Sequence, residues 1–182
     1  RRGMNVTHLA IDTATEILSV ALRVPGNAGP ASYRASCDAG LRHTGRVMQL
    51  VADLLEEAGA RPGDLELVSC MAGPGSFTGL RIGMASAKGL GWSIAETREL
   101  QRPPLVSVPT LEVMAATLPA APQILVVPVI DGRKQRFYGA VFCDGVRLTA
   151  DMDAPPHELL RAARSAAPRT AERIVVTGPH AA

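Results

Sequence analysis

A glycine-rich loop followed by a helix with regularly spaced glycines constrains this chain more than any other feature. The loop, residues 73–79, reads GPGSFTG and connects an apolar run at 65–71 to a predicted helix over about residues 78–95. Within that helix small residues recur every four positions, at Gly79, Gly83, Ala87 and Gly91. Each helical glycine costs about 1 kcal/mol relative to alanine, so the ridge implies close approach of another backbone. Two interpretations stay open: packing inside the chain's own core, and contact with another subunit.

The remaining apolar runs predict two similar series of strands and helices. The first series has strands at 6–11, 17–22 and about 33–37, a helix at 44–58 and a strand at 65–71. A strand at 105–108 and a helix at 110–118 follow. The second series has strands at 124–130, 137–143 and 146–149, a helix at 156–166 and a strand at 173–177. A turn that contains an aspartate, Asp12 or Asp131, separates the first two strands of each series.

Two facing βββαβα units are the pattern of the actin/hexokinase-like ATPase fold, which is ribonuclease H-like. The sequence therefore predicts an α/β fold of two duplicated lobes. We place the N-terminal lobe at 4–102 and a smaller C-terminal lobe at 103–182. Because the second series stops where its last helix would begin, we expect the C-terminal lobe to be incomplete, with its end truncated.

Composition excludes several classes of function. The 182 residues include 19 Lys and Arg against 17 Asp and Glu, a net charge of +2, and 3% are aromatic. Neither a large basic face nor an aromatic platform for bases is expected, so another subunit would hold any RNA. The three cysteines form no CxxC pair, which indicates buried thiols in a reducing cytoplasm. The longest apolar stretch, 124–130, has the length of a strand and predicts no membrane span.

The aspartate turns and the glycine-rich loop are candidate nucleotide contacts. In the actin-like fold such turns approach phosphate and its metal ion, because tight-turn N–H groups bind anions and a carboxylate holds Mg²⁺-bound water. The loop precedes a helix N-terminus, which attracts anions, but no GKS or GKT follows it. The candidate residues are Asp12, Thr13, Gly73, Gly75, Ser76 and Asp131. The alternative is that these residues only make turns.

The sequence contains no recognisable motif for a catalytic nucleophile or a metal site. The four histidines form no HxxxH or HExxH pattern, and Ser76 does not lie in a GxSxG elbow. We therefore predict no catalytic residue and no metal site. His8 falls in a predicted strand, where a hydrogen-bonded core histidine is the expectation.

Several blocks together resemble the TsaB (YeaZ) family from Met4 to Gly178. They are LAIDTAT at 9–15, His43 and Thr44 opening a helix, GPGSFTGLRIG at 73–83, VSVPTLE at 106–112 and IDGR at 130–133. The resemblance implies a non-catalytic accessory subunit that binds TsaD and, with the ATPase TsaE, supports threonylcarbamoylation of adenosine 37 in tRNAs reading ANN codons. It also implies a cytoplasmic homodimer when alone, tRNA contact only through the complex, and ATP or ADP at the interface with TsaD.

The same resemblance supplies a test of the non-catalytic role. Catalytic relatives place two metal-binding histidines four residues apart on the helix after the strand at 105–108. The matching positions here are Thr110 and Met114, which do not form a credible metal pair. The alternatives are an actin-fold ATP-dependent enzyme, a glycoprotease-like metallopeptidase, or a free nucleotide-binding module.

The resemblance places the partner interface on the helices at 44–58 and 78–92. Both carry a wide apolar or small-residue arc that suits helix–helix contact. The predicted interface residues are Val47, Met48, Val51, Leu55, Gly79, Gly83 and Ala87.

Overall fold

The computed structural model describes residues 6–38, 43–97 and 103–179. The chain divides into two compact units, the first comprising Arg1–Ala72 with Ser76–Val108 and the second comprising Gly73–Gly75 with Pro109–Ala182. The division falls later than the predicted boundary at 102/103, because the strand at 105–109 joins the first unit's sheet. The predicted outer limits of the lobes, residues 4 and 182, lie outside the described residues.

The first unit is built on a five-stranded sheet in the order β3-β2-β1-β4-β5. Its strands are β1 (His8–Asp12), β2 (Ile17–Val24), β3 (Ala31–Asp38), β4 (Leu67–Gly73) and β5 (Leu105–Pro109). Strand β2 is antiparallel to β1 and β3, whereas β4 is parallel to β1. Helix α1 (His43–Glu57) and a 3-10 turn (Pro62–Asp64) connect β3 to β4, and helix α2 (Phe77–Thr97) connects β4 to β5.

One face of this sheet forms the first unit's core. Leu9 and Ile11 of β1 are fully buried while their neighbours His8 and Ala10 are only half-buried, as expected when successive side chains point to opposite faces. Helices α1 and α2 contribute further buried residues to the same core: Val47, Val51, Leu54, Leu55, Ala87, Leu90 and Ile94. The apolar residues at helical spacing in α1 and α2 and those at alternate positions in the strands therefore pack together in one layer.

The second unit contains helices α3 (Thr110–Ala116) and α4 (Pro156–Ala166) and a second group of strands. These strands are β6 (Ile124–Arg133), β7 (Arg136–Gly139), β8 (Phe142–Cys143), β9 (Val146–Arg147), β10 (Met152–Ala154) and β11 (Arg173–Thr177). Strand β6 is antiparallel to β7 and β8 and parallel to β11. Strands β9 and β10 pair with β8 and β7. The predicted α/β class is confirmed.

The strand predicted at 137–143 is interrupted between β7 and β8. Gly139 pairs with Val129 and Phe142 pairs with Val126, so the alignment with β6 continues across the break. At the break the Val141 N–H donates to the Thr149 hydroxyl at 3.0 Å. The Val141 carbonyl accepts from the Leu148 N–H at 2.7 Å, so on this side of the strand a side-chain hydroxyl takes the place of one backbone partner. Hydrophobic periodicity does not reveal such a bond.

The connections that follow β1 and β4 leave the first sheet at the same end of its strands. Because β1 and β4 are parallel neighbours, their C-terminal ends meet there. The turn after Asp12 and the start of α2 are consequently brought together.

Candidate functional site

The β1–β2 turn and the N-terminus of α2 are joined by two hydrogen bonds. The Ser76 N–H donates to the Ala14 carbonyl at 2.7 Å, and the Thr13 hydroxyl donates to the Gly79 carbonyl at 2.7 Å. Thr13 is almost completely buried. This part of the site is therefore a fixed joint between a strand turn and a helix.

Two glycines of α2, Gly79 and Gly83, leave room for Thr13. A Cβ atom on Gly79 would overlap the Thr13 carbonyl oxygen, and one on Gly83 would overlap the Thr13 hydroxyl oxygen. Further along the helix, a Cβ on Gly91 would lie 3.4 Å from Leu105 Cδ2. Of the two interpretations left open by the sequence, packing inside the chain accounts for Gly79 and Gly83, whereas a side chain at Gly91 would make ordinary van der Waals contact.

This packing corrects the position of the predicted interface residues. Val47, Val51, Leu55, Gly79, Gly83 and Ala87 are buried within the first unit, whereas the side chain of Met48 is 45% exposed. The sheet covers the apolar arc of each helix, so those six residues present no side chain to a partner. Any contact through α1 and α2 must use their outer faces.

Ser76 and Gly73 have roles in local structure. The Ser76 hydroxyl accepts from the Gly79 N–H at 3.2 Å and the Ser76 carbonyl from the Leu80 N–H at 2.8 Å, so Ser76 caps α2. Gly73 has a φ of 102°, a conformation that favours glycine. The N–H groups of Ser76 and Gly79 are engaged within the protein, which leaves less of this helix end for an anion.

Asp12 makes the β1–β2 turn through its carboxylate. Its Oδ1 accepts from the Ala14 N–H at 2.9 Å. Burial raises the pKa of Asp12, and the hydrogen bond from Ala14 opposes that rise. Nucleotide contact by Asp12 and Thr13 stays a prediction.

Asp131 has a similar local hydrogen bond in the second unit, although it lies inside β6 and the turn itself falls at Lys134 and Gln135. Its Oδ1 accepts from the Arg133 N–H at 2.8 Å, two residues along, as Asp12 does with Ala14. Asp131 is exposed, and the loop that follows carries Arg133, Lys134 and Arg136. The strand predicted at 124–130 continues to Arg133, so the turn is shorter than predicted. Nucleotide contact by Asp131 and by Gly75 stays a prediction.

His8 has the hydrogen bond expected of a core histidine. Its Nε2 lies 2.8 Å from the Ser69 hydroxyl on β4. Burial, and secondarily the charge of Arg23, lower the pKa of His8. This pair belongs to the face of the sheet opposite the helices.

The positions that match the metal-binding histidines of catalytic relatives lie on α3. Thr110 is buried, and its hydroxyl has no hydrogen-bond partner among the described residues; Met114 is half-buried. Within the described ranges, no three His, Cys, Asp or Glu side chains are grouped to hold a metal ion. A hydroxyl and a thioether do not resemble a usual zinc ligand set.

The outer face of α2 is the feature that sequence reasoning missed. Phe77 is 68% exposed and Trp92 is 60% exposed, and the Arg81 guanidinium carbon lies 3.9 Å from the Phe77 ring centroid. A shallow groove of about 470 Å³ lies beside Phe77 and Arg81, and its lining consists of Met71, Ala72, Phe77, Leu80, Arg81, Met84, Ala85 and Lys88. The spacing of Phe77, Arg81, Lys88 and Trp92 along one helical face could have shown this stripe.

No helix in the part of the chain that the structure describes combines the length and apolarity needed to cross a bilayer.

Known proteins that are similar to this chain carry names that refer to tRNA modification. The family model described as TsaD, tRNA N6-adenosine threonylcarbamoyltransferase, matches residues 38–170. The tRNA threonylcarbamoyladenosine biosynthesis protein TsaB of Escherichia coli is 41% identical over 59% of this chain and 42% of its own length. The Bacillus subtilis protein of the same name is 33% identical over 75% of this chain and 55% of its own length. The chain spans about half the length of these curated relatives.

Solved structures agree with this assignment. YeaZ from Pseudomonas aeruginosa, 28% identical, superposes with a TM-score of 0.64 over 83% of this chain and 68% of that chain. A protein described as similar to peptidase YEAZ, also from Pseudomonas aeruginosa, shares the fold with a TM-score of 0.71 over 95% of this chain and 85% of its own. The resemblance found in the sequence blocks is thereby confirmed: this chain belongs to the TsaB (YeaZ) family.

Proposed function

We propose that this protein is a non-catalytic accessory subunit in tRNA threonylcarbamoyladenosine biosynthesis. It binds TsaD and, with TsaE, supports threonylcarbamoylation of adenosine 37 in tRNAs that read ANN codons. The names of the Escherichia coli and Bacillus subtilis relatives support the process, and membership of the family supports the accessory role. A cytoplasmic location and a homodimer in the absence of TsaD belong to the same proposal.

The observation that carries the proposal is the exposed aromatic stripe on α2. Two of the six Phe, Tyr and Trp residues of the chain, Phe77 and Trp92, are mostly exposed on this one helix. Aromatic residues and arginine are enriched at protein–protein interfaces, and Arg81 stacks on Phe77. The outer face of α2 therefore replaces the buried ridge as the docking surface for TsaD, with Met48 of α1 as a second exposed apolar contact.

The pairing pattern of the two sheets supports an actin-like origin by duplication. In each unit the first strand, β1 or β6, pairs antiparallel with the next strand, β2 or β7, and parallel with the strand that follows a helix, β4 or β11. Each first strand also carries an aspartate whose Oδ1 accepts from the N–H two residues later, at the end of β1 and two residues before the end of β6. On this basis the proposal includes two duplicated lobes and ATP or ADP at the interface with TsaD.

Omission of the protein from a reconstituted reaction tests the proposed function. Purified TsaD, TsaE and the full-length protein are combined with the threonylcarbamoyl donor system and an unmodified tRNA transcript that reads an ANN codon. We expect modified adenosine, measured by nucleoside mass spectrometry, to fall at least about tenfold when the protein is left out. Equal modification with and without it would refute the accessory role.

The competing enzyme functions give a different result in the same preparation. An actin-fold ATPase or a metallopeptidase would turn over ATP or cleave a protein substrate without TsaD. Loss of that turnover in an Asp12→Ala variant would assign it to this chain and contradict the proposal.

A further inference from the structure

The β6–β7 hairpin ends in a concentrated positive charge. Three of the four residues from 133 to 136 are basic: Arg133, Lys134 and Arg136. We propose that this tip, residues 132–136, contacts the phosphodiester backbone of RNA. The inference rests on the proposed function, which makes tRNA the RNA at hand, and it adds a direct contact where the sequence predicted only an indirect one.

The backbone of the tip is held in an unusual conformation. Arg133, Lys134 and Gln135 have φ angles of 67°, 52° and 61°, so three successive non-glycine residues are left-handed. Such a conformation costs roughly 1–2 kcal/mol per residue for side chains other than glycine. The Asp131 carboxylate, which accepts from the Arg133 N–H, and the pairing of Arg133 with Arg136 hold the turn in place. Glycine or asparagine would suit these angles better, so turn formation alone does not account for long cationic side chains here.

The three cations have different surroundings. Arg136 donates from Nε to the Asp153 carboxylate of β10 at 2.8 Å and also contacts the Asp153 carbonyl, so it anchors the base of the hairpin. Arg133 and Lys134 are exposed, and among the described residues neither forms an ion pair. The tip therefore presents two exposed cationic side chains on a turn that Asp131 and Arg136 hold in place.

These features fit a phosphate backbone better than a base-reading site. A guanidinium and an ammonium both bind phosphate, the first with two parallel hydrogen bonds. The aromatic residues next to the tip, Phe137 and Tyr138, are half-buried within the hairpin and are not offered for stacking. Contacts to phosphate position a protein on RNA without reading its sequence, which suits a subunit that leaves recognition and chemistry to TsaD. The net charge of +2 hides this tip because it averages over the chain.

The experiment measures tRNA binding by fluorescence anisotropy over a KCl series. It uses the complex of TsaD with the full-length protein and a labelled tRNA transcript that reads an ANN codon. The test variant is Arg133→Gln with Lys134→Gln, and the matched control is Arg161→Gln with Arg169→Gln, which removes the same charge from exposed positions on and after α4. Each phosphate contact contributes about 0.7–0.9 to the slope of log K against log salt. We expect the test variant to lower the slope by about 1.4–1.8 and to weaken low-salt binding about tenfold, and the control to change binding less than about twofold.

Two results would overturn the inference. One is an equal effect, or no effect, of the test and control variants on the salt slope. The other is weaker assembly of the test variant with TsaD at unchanged tRNA affinity, which would make an acidic protein surface the partner of the tip. The exchange Arg133→Lys with Lys134→Arg retains charge, and it must retain the salt slope if the effect is electrostatic and not a folding defect.

Failure of this inference is distinguishable from failure of the proposed function. If the omission assay shows dependence on the protein while the tip variant binds tRNA normally, only the tip proposal fails. If modification proceeds without the protein, the accessory role fails whatever the tip does.

Discussion

The β1–β2 turn of the first unit and the β6–β7 turn of the second begin with the same chemistry and end with different uses. In each, an aspartate accepts a hydrogen bond from the N–H two residues later. Asp12 is the last residue of β1, whereas Asp131 lies two residues before the end of β6. In the first unit the next residue, Thr13, is buried and bonded to α2. In the second unit Gly132 follows the aspartate, and the exposed basic residues Arg133 and Lys134 come next. The same aspartate hydrogen bond is therefore followed by a residue that packs against α2 in the first unit and by exposed basic residues in the second.

The largest effect that distinguishes the two turns should come from the glycine facing Thr13. Gly79→Ala places a methyl group onto the Thr13 carbonyl oxygen, so either the turn or the helix must shift. We expect a loss of about 3 kcal/mol in the free energy of unfolding, measured by urea denaturation of the full-length protein.

Gly89→Ala is the matched control on the same helix. Nothing lies within 4 Å of a Cβ at that position, and alanine favours the helix by about 0.5–1 kcal/mol. A similar response of the two variants would contradict the packing assigned to the ridge.

A smaller effect is expected from the hydroxyl that joins turn to helix. Thr13→Val keeps the shape of the side chain but removes the donor to the Gly79 carbonyl. The loss should be about 1–2 kcal/mol, because the carbonyl is left without that partner in a buried position. Thr78→Val, an exposed change at the start of α2, should cost less than about 0.5 kcal/mol in the same measurement.

The smallest effect is a pH dependence of stability in the first turn. Burial holds the pKa of Asp12 above its ordinary value of 3.8, so the folded protein binds that proton more tightly than the unfolded chain. Ionisation of Asp12 consequently costs stability, which is lost as pH rises through the folded-state pKa. Asp12→Asn retains an oxygen for the Ala14 N–H and removes this cost.

Urea denaturation across pH checks the sign. Asp12→Asn should be more stable than the wild type at pH 7, and the difference should shrink as pH falls toward 3.8. Asp131→Asn makes the same exchange in the exposed turn and should change stability at pH 7 by less than about 0.5 kcal/mol. A constant advantage of Asp12→Asn over the whole range would contradict a titrating cause.

The sequence allowed the order of elements to be predicted because hydrophobic periodicity is strong in both units. Strands β1 and β2 alternate cleanly, and α1 repeats its apolar residues at helical spacing. Strand limits are harder to predict where a side chain takes part in the hydrogen bonds of the sheet, as the Thr149 hydroxyl does with the Val141 N–H. The start of the second unit was also displaced, because β5 pairs in the first sheet.

The candidate site shows which part of a surface the sequence can reveal. An apolar arc such as Val47, Val51 and Leu55 shows that something covers it, but not whether a sheet or another subunit does. Here the sheet covers it, so a charge at Val51 or Gly83 would break the fold and would not report on an interface. The small residues of α2 mark its buried face in the sequence, whereas the exposed Phe77 and Trp92 lie on the opposite face.

The most direct test of the accessory role through α2 is co-elution of TsaD with the full-length protein in size-exclusion chromatography. The test variant is Phe77→Ser with Trp92→Ser, and the control is Val146→Ser, an exposed apolar residue of the second unit that is 62% exposed. We predict at least about tenfold weaker association for the test variant and a proportional loss of tRNA modification, with the control unchanged. Co-elution and modification at wild-type levels in the double variant would contradict the accessory role through α2.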